Sequence, residues 1–483
     1  MSDPVVIVGG GVTGLLLAGE LRLAGVPAVV LETRTGIAEH SNGMALHGRS
    51  LEFLRQRGLA DEIAAAGVFP WPRTPFAFLW LDLAGADERD HTYAFPQWRL
   101  EKILERRAVD LGAELRRGHT VVALDNGPDR VTLTVLADGA EYRVEAGYVV
   151  GCDGEDSVVR RLSGIPFDDG GIDSGYYGVL GDVAFPDGVY PEFAAGLHPN
   201  GMFGALPLQA GMLRLMTIQF DTKRPGDDVP VTADELRAAI RRVTGTDPDI
   251  GEVRWLSRFG GATRVAETYR RDRVFLAGDA AHVLYISGTQ SLNLGIQDAA
   301  NLGWKLAAAV KGWAPADLLD TYHMERHVAG EQARTHALAQ FALMHPLDRV
   351  GPLRDIMSDI LGFGDVNQHL LKLATAARYP TMGQEGHRPV GEQIGELPLS
   401  TPGGETSVAA LLAGGRGVLV DFSGGTVGDE ARAWSEWVEI VEARPVAEFG
   451  GDGVLVRPDG YVAWLGGEGL LDALRMWFGD VWV

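Results

Sequence analysis

The chain has 483 residues, of which 46% are hydrophobic and 22% are charged, values typical of a folded globular protein. Its 43 basic and 65 acidic residues give a net charge of −22, which repels phosphate groups and disfavours binding to nucleic acid or to an anionic membrane. Glycine is abundant, at 64 residues, but follows no G-X-Y period, which excludes a collagen.

The sequence also suggests where the protein works. Cys152 is the single cysteine, so no intrachain disulfide can form. The N-terminal residues run directly into an apolar strand without the basic segment and cleavage site of a signal peptide. No run of 18 apolar residues is long enough to cross a membrane. We therefore expect a cytoplasmic protein.

The first elements predict a strand, a helix and a second strand within about 30 residues. Residues 5–8 and 26–31 are apolar and β-branched, as in buried parallel strands, and residues 13–23 have helical spacing. The turn between them is Gly9-Gly10-Gly11-Val12-Thr13-Gly14, a G-x-G-x-x-G motif, and Glu32 follows the second strand. This arrangement predicts a dinucleotide site, with the pyrophosphate at the helix N-terminus and Glu32 on a ribose hydroxyl. It leaves NAD and FAD open.

The next segment predicts further helices and a meander of strands. Helical patterns cover residues 49–57, 60–66 and 100–112, and strand patterns cover residues 120–124, 131–135, 142–146 and 148–150. The last of these strands ends in a second motif, Gly151-Cys152-Asp153-Gly154. Taken alone, that motif is explained at least as well by a capped turn as by a ligand site.

Residues 166–265 alternate in polarity and predict an antiparallel sheet with one ligand-facing or solvated side. Within them, Thr232 is the expected N-cap of a helix over residues 232–242, with Glu235 three residues later. A third motif comes next, in which a strand over residues 274–277 delivers Gly278 and Asp279 to a loop. Long helices are predicted over residues 292–310 and 318–337.

The C-terminal segment predicts a small α/β unit. Residues 380–402 are rich in Pro, Gly, Glu and Thr, which indicates a linker. Beyond it, strands are predicted at residues 417–422, 438–441, 453–457 and 461–464, and helices at residues 430–434 and 469–478.

The order and spacing of the three motifs resemble those of the class A flavin monooxygenases, the group that includes para-hydroxybenzoate hydroxylase. Pro96-Gln97, Asn301–Leu306 and Tyr322–Arg326 extend the resemblance over residues 4–345. It implies that the first motif binds the ADP part of FAD, that Asp153 lies near FAD and the nicotinamide cofactor, and that Asp279 binds the ribityl chain. The cofactor-binding residues expected from the motifs and the resemblance are Gly9, Gly11, Val12, Thr13, Gly14, Glu32, Thr33, Asn42, Gln97, Val121, Asp153, Gly278, Asp279, Gln290, Leu292 and Asn293.

The segment Val454–Trp464 resembles the thioredoxin-like C-terminal domain of the aromatic polyketide hydroxylases and rifampicin monooxygenases. Because Cys152 is the single cysteine, that domain cannot perform dithiol chemistry. The expected fold class is α/β: a split Rossmann-like FAD-binding domain (residues 1–165 and 266–380, the second part with a helical region), an inserted antiparallel-sheet substrate domain (166–265) and a thioredoxin-like domain (381–483).

The resemblance implies an FAD-dependent monooxygenase that uses NADPH (or NADH) and O2 to hydroxylate a polycyclic aromatic, polyketide-type substrate through a flavin C4a-hydroperoxide. One loop departs from the family pattern: Tyr285 and Ile286 stand at proline positions, and Thr289 and Ser291 at glycine positions. Baeyer–Villiger chemistry, antibiotic inactivation, or FAD binding with altered or lost oxygenation therefore stay open. No side chain is assigned as an acid, base or nucleophile, no metal site is expected, and the oligomeric state is open.

Overall fold

The computed structural model describes residues 3–168, 172–173, 176–185, 194–209, 211–226, 228–248, 250–260, 262–284, 290–375, 390–446 and 449–480. The α-helices are α1 (Val12–Leu23), α2 (Gly48–Gln56), α3 (Ala60–Ala65), α4 (Gln97–Asp110), α5 (Val158–Leu162), α6 (Ala233–Thr244), α7 (Gln290–Lys311), α8 (Asp320–Ala342), α9 (Leu347–Leu361), α10 (Gly364–Thr375), α11 (Val408–Leu411), α12 (Thr426–Glu430) and α13 (Leu470–Phe478).

The strands are β1 (Val5–Val8), β2 (Ala28–Glu32), β3 (Ala45–His47), β4 (Phe69–Pro70), β5 (Thr74–Phe76), β6 (Leu79–Leu81), β7 (Thr92–Ala94), β8 (Glu114–Arg117), β9 (Thr120–Asn126), β10 (Val131–Ala137), β11 (Ala140–Ala146), β12 (Tyr148–Gly151), β13 (Ile172–Asp173), β14 (Tyr177–Ala184), β15 (Ala194–His198), β16 (Gly201–Gln209), β17 (Met212–Gln219), β18 (Val253–Phe259), β19 (Ala262–Val265), β20 (Arg270–Arg271), β21 (Val274–Leu276), β22 (His282–Val283), β23 (Pro398–Thr401), β24 (Gly404–Ser407), β25 (Gly417–Asp421), β26 (Val438–Glu442), β27 (Gly453–Val456) and β28 (Val462–Leu465).

A largely parallel sheet of order β20-β21-β12-β1-β2-β8 organises the N-terminal half and confirms the predicted mixed α/β class. Strand β1 is buried along its whole length, as its continuous β-branched run predicts. Val8 pairs in register with Gly151, and Gly151 pairs with Leu276. Because these strands are parallel, their carboxyl ends meet at one sheet edge. The three motifs therefore lie side by side.

A five-stranded antiparallel sheet of order β15-β16-β17-β14-β18 occupies the middle of the chain, as predicted. Helix α6 packs on one face of it. Thr232 is the N-cap of that helix and accepts a hydrogen bond from the Glu235 N–H at 3.2 Å, which confirms the predicted N-cap, while the Glu235 carboxylate pairs with Arg258. The other face carries half-buried apolar side chains and meets Phe76 and Phe78.

The structure differs from the sequence-based prediction around the expected linker. Helices α9 and α10 precede it and were not predicted. Helix α9 has no fully buried residue and contains Pro352, a residue type that usually ends or kinks a helix. Residues 398–402 were predicted as linker, but residues 398–407 form the hairpin β23–β24, in which Gly404 takes a φ of +118°. Residues 380–389 of the predicted linker lie outside the described residues.

Strand β27 ends in a segment that fastens the C-terminal unit to the rest of the chain. The unit's sheet has the order β26-β25-β27-β28. The Arg457 guanidinium bonds to Glu325 on α8 at 2.5 Å and to Asp459 at 2.5 Å, and Lys305 on α7 donates to the same Glu325 at 2.6 Å. Arg57, which is paired with Glu20 on α1, donates to the Pro458 carbonyl at 2.7 Å.

This buried charge network docks the C-terminal unit, through the residues around Arg457 that follow β27, onto helices α7 and α8. Glu325, Lys305, Asp459 and Arg457 all have side-chain exposures of 3% or less. Burial raises the pKa of Glu325, but the charges of Arg457 and Lys305 outweigh it and lower the pKa to about 2. The Glu325 carboxylate is therefore ionised, and removing one cation would leave a buried charge without full compensation.

We expect Arg457→Leu to destabilise the protein by about 3–5 kcal/mol, because two buried carboxylates lose their shared partner. Thermal unfolding followed by tryptophan fluorescence will report it, since Trp304 and Trp477 lie against the Arg457 guanidinium. Arg432, 78% exposed beside Asp429, is the matched control, and Arg432→Ala should change little. Equal melting temperatures for the two variants would contradict the docking role.

The stability of the wild-type protein should also fall as the pH drops from about 4.5 towards 2, where Glu325 gains a proton in the folded state.

Candidate functional site

The glycines of the first motif are required by close backbone packing. Gly9 has a φ of +108°, and a Cβ there would overlap the Cys152 carbonyl. A Cβ on Gly14 would overlap the Gly9 carbonyl, so α1 could no longer lie against the turn. A Cβ on Gly11, in contrast, would meet only the Glu101 carboxylate among the described atoms, at 3.9 Å. The backbone at Gly11 is therefore open to a ligand.

Helix α1 presents its N-terminus to that opening. Its N-cap is Gly11, which supplies no side-chain hydrogen bond, and its first turn holds no acidic residue. The N–H groups and partial positive charge of the helix end are thus available to an anion. Thr13 in the first turn packs against Gly278 and Gly295, where a Cβ would be in conflict with its hydroxyl. The first turn of α1 is therefore packed directly against the third motif and α7.

Glu32 stands at the tip of β2, beside the glycine turn. Its Oε2 accepts the Gly10 N–H at 2.6 Å, and its Oε1 accepts the Arg34 N–H at 2.7 Å and Nε at 3.1 Å. Burial raises the pKa of Glu32, but these donors outweigh it and leave the pKa below its ordinary value. The ionised carboxylate uses three of about four acceptor positions, so it can take one more hydroxyl donor.

A second carboxylate near the turn was missed by the sequence analysis. Glu101 on α4 is 3% exposed, and Gln97 Nε2 donates to its Oε1 at 2.9 Å. Burial raises the pKa of Glu101. A glutamate in an amphipathic helix gives no sequence signal for such a position. The Gln97 side-chain amide is therefore already bonded to the Glu101 carboxylate. The Gln97 backbone N–H donates to the Gly43 carbonyl at 3.0 Å.

Asp153 in the second motif is bonded to its own helix. Its carboxylate accepts the Ser157 hydroxyl at 2.5 Å and the N–H groups of Val158 and Val159 at 2.7 and 3.1 Å. This is the geometry of the capped turn weighed as the alternative in the sequence analysis. Burial raises the pKa of Asp153.

Asp279 in the third motif has the opposite environment. Its side chain is solvent-accessible, although enough protein surrounds it that burial raises its pKa. No group in the described part of the chain donates a hydrogen bond to its carboxylate. Gly278, at φ +63°, turns the backbone so that Asp279 leaves the sheet edge. Asp279 is thus an acceptor at the same sheet edge as the glycine turn, and no described group bonds to its carboxylate.

The loop that carries Asp279 is fixed by Asp298 on α7, which the sequence analysis did not single out. Its Oδ2 accepts the Gly278 N–H at 2.9 Å and faces His282 Nε2 at 2.7 Å, while its Oδ1 accepts Arg326 Nε at 2.6 Å. His282, Asp298 and Arg326 are fully buried. Burial raises the pKa of Asp298, but Arg326 and His282 outweigh it and lower the pKa. The carboxylate is therefore a charged anchor for the loop.

Three of the remaining predicted residues, Gln290, Leu292 and Asn293, lie at the start of α7. Asn293 Oδ1 accepts the His47 N–H at 2.8 Å, which ties the start of α7 to β3, and Gln290 Nε2 donates to the Ala374 carbonyl at 3.2 Å. Leu292 is half-buried beside them. The substituted loop positions Tyr285, Ile286 and Thr289 lie outside the described residues, whereas Ser291 lies in α7.

Three further predicted residues are contacted or covered by elements other than the glycine turn. The Val121 side chain is 3% exposed in the core. Thr33 accepts a hydrogen bond from the Thr120 hydroxyl at 3.3 Å. Asn42 is exposed, and its carbonyl accepts Arg214 Nη1 at 3.1 Å.

The site therefore offers an open glycine backbone, a positive helix end, an ionised acceptor at Glu32 and an unbonded acceptor at Asp279. These groups fit an anionic dinucleotide. Within the described ranges, no group of three or more His, Cys, Asp or Glu side chains is arranged to hold a metal ion. The helices that the structure describes include none long and apolar enough to cross a bilayer.

Comparison with known proteins agrees with this chemistry. Residues 2–337 match the family model described as "FAD binding domain", and residues 387–480 match "Aromatic-ring hydroxylase, C-terminal". The chain is 41% identical to 12-dehydrotetracycline 5-monooxygenase/anhydrotetracycline 6-monooxygenase of Streptomyces rimosus, with 99% of each chain covered. It is also 41% identical to dialkyldecalin synthase of Streptomyces rugosporus, again with 99% of each covered.

Among solved structures, an aromatic hydroxylase from angucycline biosynthesis superimposes with a TM-score of 0.91 at 37% identity, covering 100% of both chains. The chain therefore belongs to the FAD-dependent aromatic-ring hydroxylase family and is a flavin-dependent oxidoreductase of the monooxygenase type.

Proposed function

We propose that the ADP part of FAD binds at the Gly9–Gly14 turn, with Glu32 on the ribose and Asp279 on the ribityl chain. The open Gly11 backbone and the uncapped α1 N-terminus support the phosphate position. The unbonded Asp279 carboxylate beside that turn supports the ribityl position. The further cofactor residues predicted from the sequence, including Asp153, have a smaller role in this proposal because most of their side chains already bond to protein.

Asp279→Ala should lower the fraction of FAD retained through purification, since it removes an acceptor to which no described protein group donates a hydrogen bond. The flavin-to-protein absorbance ratio measures this. Asp129→Ala is the matched control, because Asp129 is exposed and distant in sequence from all three motifs. Equal flavin content in both variants would contradict the assignment of Asp279.

We further propose that the protein is an FAD- and NAD(P)H-dependent monooxygenase that hydroxylates a polycyclic aromatic, polyketide-type substrate. The observation that carries this proposal is the full-length similarity to a tetracycline-pathway monooxygenase. The sheet face opposite α6 carries Trp255 and Met216 and meets Phe76 and Phe78. These half-buried side chains supply the apolar and aromatic surface that such a substrate needs. Bound FAD supplies the redox and oxygen-transfer chemistry, and the chain supplies orientation and exclusion of water.

The test is turnover of the holoenzyme with NADPH, O2 and anhydrotetracycline as the probe, with NADH in a parallel reaction. We expect nicotinamide oxidation coupled to a product that gains one oxygen atom, and product NMR will distinguish hydroxylation from ring insertion. Nicotinamide oxidation without an oxygenated product would contradict the proposal. So would conversion of the probe without nicotinamide oxidation, which would point to chemistry closer to that of the synthase relative.

A further inference from the structure

A buried ion pair on the antiparallel sheet supports a half-exposed histidine. Arg214 on β17 and Asp182 on β14 are register partners, and the guanidinium contacts both carboxylate oxygens, at 2.8 and 2.9 Å. Both side chains are 2% exposed or less. His40 Nδ1 lies 3.3 Å from Asp182 Oδ2, and its side chain is 34% exposed.

The orientation of the His40 ring is fixed from two directions. Its plane stacks on Trp255, with ring centroids 5.7 Å apart and an interplanar angle of 9°. Since the Asp182 carboxylate only accepts hydrogen bonds, the imidazole donates from Nδ1–H, and Nε2 carries the lone pair. Within the described residues, Nε2 has no hydrogen-bond partner. An Asp–His pair with a free acceptor nitrogen is the arrangement of a general base oriented by a carboxylate.

The pair lies on the sheet face opposite α6, and the segment that carries His40 continues towards the candidate flavin site. Arg214 holds the Asn42 carbonyl two residues from His40. The strand after this segment, β3, is bonded to Asn293 at the start of α7. On the sheet, Trp255 continues into the apolar surface already proposed to contact the substrate. One face of the sheet therefore presents both an aromatic platform and a proton acceptor.

We propose that His40, oriented by Asp182, accepts the proton of a substrate phenol. This inference rests on the proposed function. In the step, the phenol O–H bond breaks, a bond forms between that proton and His40 Nε2, and the electron pair stays on the phenolate oxygen. The Asp182 carboxylate stabilises the imidazolium. The phenolate ring is more electron-rich than the neutral phenol and therefore reacts more readily with an electrophilic oxygen.

His40→Gln tests the step, because glutamine can place a polar atom near the position of Nε2 but cannot take up a proton. At pH 7, kcat with anhydrotetracycline should fall by about 100-fold or more, within the usual contribution of a general base, while KM changes little. The deficit should shrink as the pH rises towards about 10, where a phenol ionises unaided. The charged groups beside the ring are Asp182 and Arg214 from the sheet and Glu39 on its own segment.

A spectroscopic signature and a matched variant complete the experiment. Ionisation shifts the absorption of a phenol to longer wavelength, so the bound probe should show its ionised band at pH 7 in the wild type and its neutral band in His40→Gln. His198→Gln, at a half-buried histidine of the same sheet, should behave as the wild type.

Each remaining outcome decides against a defined part of the proposal. Wild-type kinetics in His40→Gln would overturn the role of His40 and leave the proposed function intact. A loss of activity with an unchanged pH profile and an ionised bound probe would assign His40 to positioning alone. Failure of the wild type to oxygenate the probe would contradict the proposed function, and the proton-transfer step with it.

Discussion

The shared register of three parallel strands is the constraint on which the candidate site depends. Val8, Gly151 and Leu276 are neighbours across the sheet, so the chain leaves the sheet at one edge three times. A glycine follows each exit: Gly9 and Gly278 lie too close to neighbouring turns for a side chain, whereas Gly154 has open space around it and takes a φ of +83°. The Gly9 turn touches the Cys152 carbonyl, and Gly278 touches Thr13. A slip of one residue in any of these strands would turn its side chains to the other face and separate the turns.

Two buried carboxylates fix the positions of the elements that surround this sheet edge. Asp298 and Glu325 are both fully buried, on successive long helices, and each is surrounded by cations or N–H donors. Asp298 holds the Gly278 loop, whereas Glu325 holds the C-terminal unit through Arg457. Such pairs are weak sources of net stability because desolvation offsets much of the attraction. Their effect is to make one arrangement of loop, helix and C-terminal unit far more favourable than its alternatives, since any other would leave a charge buried without a partner.

The strands and glycine turns could be predicted from the sequence because their signals are local. The run Val5–Val8 is buried on both faces, and the Thr232 cap acts within one helical turn. Helix α9 is harder to predict, because Pro352, a residue type that usually ends a helix, lies inside its apolar pattern of Leu347, Val350, Met357 and Ile360. The partner of Arg457 could not be predicted either, since Glu325 is 132 residues away and one of many charges in the sequence.

The two acidic motifs show that the role of a single acidic residue also cannot be predicted from the local sequence. Asp153 and Asp279 each come after a short buried strand beside a glycine, and the family resemblance implies a cofactor role for both, although the Asp153 pattern alone is explained at least as well by a capped turn. In the structure, Asp153 is bonded to the first turn of α5, whereas Asp279 has no described donor. The difference arises from the residues after each turn. Ser157 allows a helix to begin within reach of Asp153, whereas the Gly278 N–H beside Asp279 donates to Asp298 instead. Because no described group bonds to the Asp279 carboxylate, Asp279 is the better candidate for the proposed cofactor contact.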